Sequence, residues 1–222
     1  MPVSAARPAY ARALPLPPAA RSAYARALPA KISVQPLTFS FPRTIIKGKD
    51  FGKRKTAMQE KMLVLARPEE HEALARYIAA LWHSAYDGLL GAAQVEYMTQ
   101  KFQSAAAIGE QIRADNYLYF FIERQGERVG YCALRPEKEK LFLSKLYLAD
   151  AARGRGLGQR VLAEVAEDAR RMGLNAVYLT VNKGNARAVR AYEKFGFVRT
   201  DSTVTDIGGG YVMDDYIYEY AV

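Results

Sequence analysis

The chain has 222 residues, half of them apolar and a quarter charged, enough for one ordinary domain with a real core and an extension. No apolar run approaches the ~18 residues that a membrane span requires, and a lone cysteine, Cys132, excludes a disulfide framework and a cysteine-built zinc site. The net charge of +9 invites a nucleic-acid reading, yet residues 1–61 hold 12 basic and 2 acidic residues while 62–222 hold 20 and 21, so the excess belongs to the N-terminal segment.

Residues 1–61 do not read as a domain. Eight of the ten prolines fall there and no Asp or Glu precedes Asp50. The heptapeptide AYARALP occurs twice, at 9–15 and 23–29, too short a repeat for a solenoid. Proline at this density opposes helices and central strands, so disorder or local polyproline II is expected. Three readings compete. A start-site artefact, with translation beginning at Met58 or Met62, is favoured because a full domain pattern starts at Met62. An Arg-rich, acid-poor targeting segment and a basic arm for RNA or an acidic partner are the others.

From Met62 the pattern changes. MLVLA (62–66) reads as a strand, and Pro68-Glu69-Glu70 opens a helix expected to run to about Tyr86, where Asp87-Gly88 breaks it. One further helix is expected over about 92–114, with Val95, Met98, Phe102, Ala106 and Ile108 at apolar positions. NYLYFFIER (116–124) and RVGYCALR (128–135) read as a hairpin around Gln125-Gly126, and 140–150 as a long strand. After the glycines of ARGRGLGQR comes a helix to about Met172, then a strand (174–182), a helix (185–195) closed by Gly196, and two final strands. The order β-α-α-β-β-β-α-β-α-β-β predicts an α/β (α+β) domain over 62–222, a mixed, mostly antiparallel sheet of six to seven strands flanked by helices. Cys132 lies in an apolar run and reads as a buried, inert thiol. His71 and His83 lack metal-ligand spacing, and no metal site is expected.

Two segments carry chemistry. Arg153-Gly154-Arg155-Gly156-Leu157-Gly158 joins a strand to a helix start, where unpaired backbone N–H groups and the helix dipole suit an anion such as a pyrophosphate. It is not a Walker A loop, since no GK[ST] follows, and GRGLG lacks the dinucleotide-binding GxGxxG spacing. In 185–197, Asn185 is a plausible N-cap, and Ala188, Ala191 and Tyr192 share one helical face. Tyr192 reads either as a core residue or as a phenol able to give a proton to a departing thiolate.

Together, R-x-x-G-x-G after a strand, another strand, and N-x-x-A-x-x-x-Y-x-K-x-G-F resemble the GNAT acetyltransferase superfamily over essentially all of 62–222. Within it, QVEYMTQKFQS (94–104), LFLSKLYL (141–148) and VTDIGGGYVMDDYIYEY (204–220) resemble the bacterial PaiA-type spermidine/spermine acetyltransferases.

The resemblance implies the GNAT fold and direct acetyl transfer from acetyl-CoA to a primary amine, with a polyamine as one acceptor. It implies that the strand at Leu146, Tyr147 and Leu148 splays from its neighbour and receives the pantetheine arm through backbone groups. It places the pyrophosphate on the amides of Arg153–Gly158, with added charge from Arg153 and Arg155. Asn185 would contact the cofactor arm, Lys194 its phosphates, and Tyr192 would protonate the CoA thiolate. No acyl-enzyme is implied. The base that must deprotonate the amine is left open among Glu96, Asp206, Asp214, Asp215 and Glu219. A small-molecule acceptor, a cytoplasmic setting and a homodimer go with this reading; a membrane partner does not, and nucleic acid is disfavoured. Protein or peptide amines, and a non-catalytic CoA-binding regulator, are the alternatives.

Overall fold

Tyr119 and Phe121 point to one side of a strand while Phe120 and Ile122 point to the other, and all four are buried. The next strand repeats this with Tyr131 and Ala133 against Cys132 and Leu134. A strand apolar on both faces must be covered on both, and the architecture follows from that demand. A computed structural model describes residues 61–222; the expectations for residues 1–60 lie outside the described residues.

The strands are β1 (Leu63–Leu65), β2 (Leu118–Arg124), β3 (Glu127–Pro136), β4 (Lys140–Leu148), β5 (Ala176–Asn182), β6 (Val198–Gly208) and β7 (Tyr211–Ala221). The helices are α1 (His71–Leu90), α2 (Ala92–Gln103), α3 (Ala105–Ala114), α4 (Leu157–Arg171) and α5 (Ala186–Phe195). The seven strands form one sheet in the order β1-β2-β3-β4-β5-β7-β6, and every pairing is antiparallel except β4 with β5. One face carries α4 and α5 over Cys132, Leu134, Val177 and Leu179. The other carries α1, α2 and α3 over Tyr119, Phe121, Tyr131 and Ala133.

Two helix boundaries differ from expectation. The first helix runs through Asp87-Gly88 to Leu90 and stops at Gly91, whose φ of 85° is the actual break. A single helical glycine costs only about 1 kcal/mol, which packing of Leu74, Ile78, Leu81, Trp82 and Tyr86 along one face outweighs. The expected single helix over 92–114 is two. Ser104, at φ −64° and ψ 157°, leaves the helix and caps α3 by accepting from the Ala107 amide at 3.3 Å.

The β6–β7 hairpin turns on Gly208, Gly209 and Gly210, all at positive φ. The turn docks on α2: the Tyr97 hydroxyl and the Lys101 ammonium donate to the Ile207 carbonyl at 2.9 and 2.8 Å. A Cβ on Gly209 would stand 2.9 Å from the Tyr97 ring, so the glycines serve a close approach to a helix.

Candidate active site

The site begins with a defect in the sheet. β4 is paired with β3 along its whole length, from Leu141 opposite Pro136 to Leu148 opposite Gly130. With β5 it pairs only at Lys140–Phe142, opposite Ala176–Tyr178. From Leu143 to Leu148 the strands part, and one edge of β4 is left without a strand partner. An extra residue, Ser144, bulges β4 at this point, because Ala133 faces Lys145 while Leu134 faces Leu143. At the far end β3 presses on β4: a Cβ on Gly130 would lie 2.1 Å from the Tyr147 carbonyl oxygen. Only glycine permits that approach.

The opening is a cleft of about 540 Å3. Its floor is Leu143–Leu148 of β4, and Thr180, Val181 and Asn182 of β5 form the opposing wall. Gly158 at the start of α4 and Asn185, Ala188, Ala191 and Tyr192 of α5 close one side. Trp82, Tyr86 and Met98 close the other, with Met213 and Asp215 of β7.

A network of phenols lines it. Tyr147 stacks on Tyr131 at 5.3 Å, and the Trp82 indole donates to the Tyr131 hydroxyl at 2.6 Å. The Tyr86 and Tyr147 hydroxyls lie 3.0 Å apart, and the Asn185 amide stands 3.4 Å from Tyr86. Asn185 also caps α5 by accepting from the Ala188 amide at 3.1 Å. Tyr192 packs edge-on to Phe197, and its hydroxyl makes no hydrogen bond to a described residue. Burial raises its pKa, reinforced by neighbouring Tyr86, so the phenol holds its proton at neutral pH.

At the mouth, Gly154 and Gly156 take positive φ and turn the chain into α4, whose first-turn amides are free of helical partners. The Arg153 guanidinium donates to the Leu148 carbonyl at 2.8 Å and pairs with Asp150, which also accepts from Ser84 at 2.6 Å. Arg153 thus pins the end of β4 to the loop and to α1, and it also lines the cleft. Arg155 is exposed beside the turn, and Leu157 is buried under α4. Lys194 is exposed near the end of α5 and does not line the cleft.

Of the five carboxylates weighed as bases, four are engaged away from the cleft. Glu96 meets His83 and Gln100, Asp206 accepts from the Gly208 amide, Glu219 pairs with Lys140 at 2.6 Å, and Asp214 pairs with Lys183 at 2.5 Å. Asp215 alone of the five lines the cleft. Burial, together with the Asp214 charge beside it, pushes its carboxyl up to about 6.

Lys145 carries no signal in the sequence. It is 7% exposed, donates to the Ser144 hydroxyl at 2.6 Å and has no carboxylate within ion-pair distance among the described residues. Burial, with Arg135 nearby, lowers its pKa to about 7. Tyr86 is equally silent, because it occupies the inner face of α1 and reads as core. Cys132 is fully buried and its thiol is pushed up by burial, so it is inert, as its apolar surroundings suggested. Among the described residues no helix is long and apolar enough to cross a membrane, and no cluster of metal-ligating side chains occurs.

Comparison with known proteins agrees with this architecture. The family model for the acetyltransferase (GNAT) family matches residues 78–197, more than half of the chain. The N-acetyltransferase YdgE of Bacillus subtilis is 34% identical over 93 residues, 40% of this chain and 59% of that protein. YjgM of Escherichia coli, also an N-acetyltransferase, is 33% identical over 89 residues, 38% of this chain and 53% of that protein. The chain therefore spans little more than half the length of these relatives. In structure it resembles the PaiA N-acetyltransferase of Thermoplasma acidophilum, solved in complex with coenzyme A: TM-score 0.60, 21% identity, 72% of this chain and 98% of that one. That likeness carries the fold. The parted strands, the glycine turn at the helix start and the matching family model lead to one conclusion: the chain belongs to the GNAT acetyltransferase family.

Proposed function

We propose that the protein transfers an acetyl group from acetyl-CoA to a primary amine. The observation that carries this is the unpaired edge of β4 from Leu143 to Leu148, which opens toward the free amides of α4 with Tyr192 in its wall. A β edge inside a cleft recognises an extended ligand through main-chain hydrogen bonds, and the amide-bearing arm of CoA is such a ligand. Leu146, Tyr147 and Leu148 hold it, and the amides of Arg153–Gly158 take its pyrophosphate. Acetyl-CoA supplies the activated acetyl group; every other requirement falls on the chain. A β4 backbone N–H polarises the thioester carbonyl. Asn185 orients the arm, and Tyr192, still protonated, gives its proton to the departing thiolate.

The acceptor side is the face lined by Trp82, Tyr86, Met98 and Met213, with Asp215 as its carboxylate. Asp215 is the one carboxylate among the residues lining the cleft, and beside Trp82 and Tyr86 it favours a cationic amine; spermidine and spermine belong to that class. Peptide amines are the second reading, since the cleft is open at its mouth. A reducing, cytoplasmic setting suits the free thiol of Cys132, and self-association through the exposed edge of β6 is the homodimer to test by light scattering.

Thiol release from acetyl-CoA, assayed with spermidine, spermine, amino acids and short peptides, is the test. Turnover with polyamines, slowed about 100-fold by Tyr192→Phe, is expected. Turnover with peptides alone would move the acceptor to proteins. Tight CoA binding without turnover on any amine would reduce the protein to a CoA-binding regulator.

A further inference from the structure

Asp215 stands in β7 opposite Asn182 of β5 and Thr203 of β6, both neutral. It shares its sheet face with Met213, two residues before it, and both line the cleft. Its Oδ1 is shielded from solvent and bonded to no described group. Lys145, Arg153 and Arg187 line the same cleft, and none of them pairs with Asp215; the groups whose charge or burial is coupled to it are few. Asp214 is its neighbour, Lys183 comes from the connection after β5, and Tyr86 comes from α1. The one cation in this set is taken, because the Lys183 ammonium lies 2.5 Å from Asp214. An oxygen without a donor and a carboxylate without its own cation, turned into a cleft, form a place for a ligand cation.

Resting on the acetyl-transfer reading, we infer that Asp215 both binds the acceptor's ammonium and receives the proton it must shed before attack. An N–H bond of the ammonium breaks and an O–H bond forms at Asp215. The freed lone pair bonds to the thioester carbon, and the C–S bond breaks as Tyr192 protonates sulfur. The remaining excess proton on nitrogen restores the Tyr192 phenol, directly or through water. Asp215 then releases its proton to solvent, so one proton leaves per turnover. A carboxyl near 6 is ionised at pH 7.5, ready to bind the cation, yet basic enough to share its proton. The Tyr86 hydroxyl links this carboxylate's surroundings to Tyr147 and Asn185, so the acceptor and cofactor halves of the cleft meet at one phenol.

The experiment compares the full chain with Asp215→Asn, Asp215→Glu and Asp214→Asn. It measures kcat/KM for a panel of primary amines from pH 5 to 9 and acetyl-CoA affinity by calorimetry. The wild type is expected to lose kcat/KM as pH falls through about 6. Asp215→Asn should keep acetyl-CoA affinity within about twofold, lose kcat/KM by about 100-fold or more, and lose that acidic limb. Asp215→Glu should keep the limb at a shifted pH, and Asp214→Asn, which removes the charge that raises Asp215 and frees Lys183, should move the limb to lower pH. If Asp215→Asn turns over normally with an unchanged pH profile, the assignment falls alone. An acidic limb at the same pH in Asp215→Glu and wild type overturns it too, even if Asp215→Asn misfolds. A wild-type chain that acetylates no amine overturns the transfer reading, and this assignment with it.

Discussion

Lys145 is expensive to keep. Its ammonium has left water for a site whose one hydrogen-bond partner is a serine, with the Arg135 charge nearby, and its pKa falls from 10.5 to about 7. Below pH 7 the lysine is charged in both folded and unfolded chains, and the folded state bears the full burial penalty. Between pH 7 and 10.5 the unfolded chain holds a proton that the folded chain lacks, so stability rises with pH across that window. Lys145→Met should therefore stabilise the protein at pH 6 by about 2–5 kcal/mol, since each tenfold loss of proton affinity is worth about 1.36 kcal/mol. The advantage should shrink toward pH 10. Urea melts of both proteins across this range check it, and a variant less stable than the parent at pH 6 would show that Lys145 is well satisfied. Keeping such a residue on the floor of the cleft, one position past the Ser144 bulge, is what a site under functional demand does.

At the scale of elements, two glycines decide how strands reach their neighbours. Gly209 has a φ of 65° and touches Tyr97; Gly209→Ala should cost about 1–3 kcal/mol in a urea melt through strain and a pushed-back hairpin, while acetyl-CoA affinity stays. Gly130 lies against the Tyr147 carbonyl, so Gly130→Ala forces β3 and β4 apart where β4 lines the cleft. It should weaken acetyl-CoA binding by at least about tenfold in calorimetry, and equal losses from both variants would sink the distinction. These elements also show what the chain discloses before folding. The β2 and β3 runs, the R-x-x-G-x-G turn and the Asn185–Tyr192 helix were legible because each depends on neighbours in sequence. The break at Ser104 was not, since its cap lies inside an unbroken apolar periodicity. Nor was the role of Arg153, whose partners Leu148 and Asp150 are close in sequence but meet it only through the turn. Asp215 stood beside Asp214 as an equal candidate; only the β5–β7 register turns one into the cleft and leaves the other with Lys183.

As a whole, the described molecule is two sheet segments joined by a short parallel seam. β1 to β4 form one and β5, β7 and β6 the other, and three residue pairs of β4 and β5 hold the strands together. Beyond the seam, Lys140 meets Glu219, and α2 reaches across to the β6–β7 hairpin through Tyr97, Lys101 and Gln94. A ligand lying along the open edge of β4 completes what the seam leaves undone, so binding and stability are coupled. At acetyl-CoA 100-fold above its Kd the gain is about 2.7 kcal/mol, or roughly 5–10 °C in Tm for a domain of this size. The location is the sharper prediction. In hydrogen exchange, peptides covering 143–149 and the first turn of α4 should exchange fast in the free protein and slow on adding acetyl-CoA. Peptides covering β4 residues 140–142, already paired on both sides, should change little. Protection spread evenly over the chain would reflect general tightening, and protection absent from 143–149 would mean that the ligand does not lie on the β4 edge.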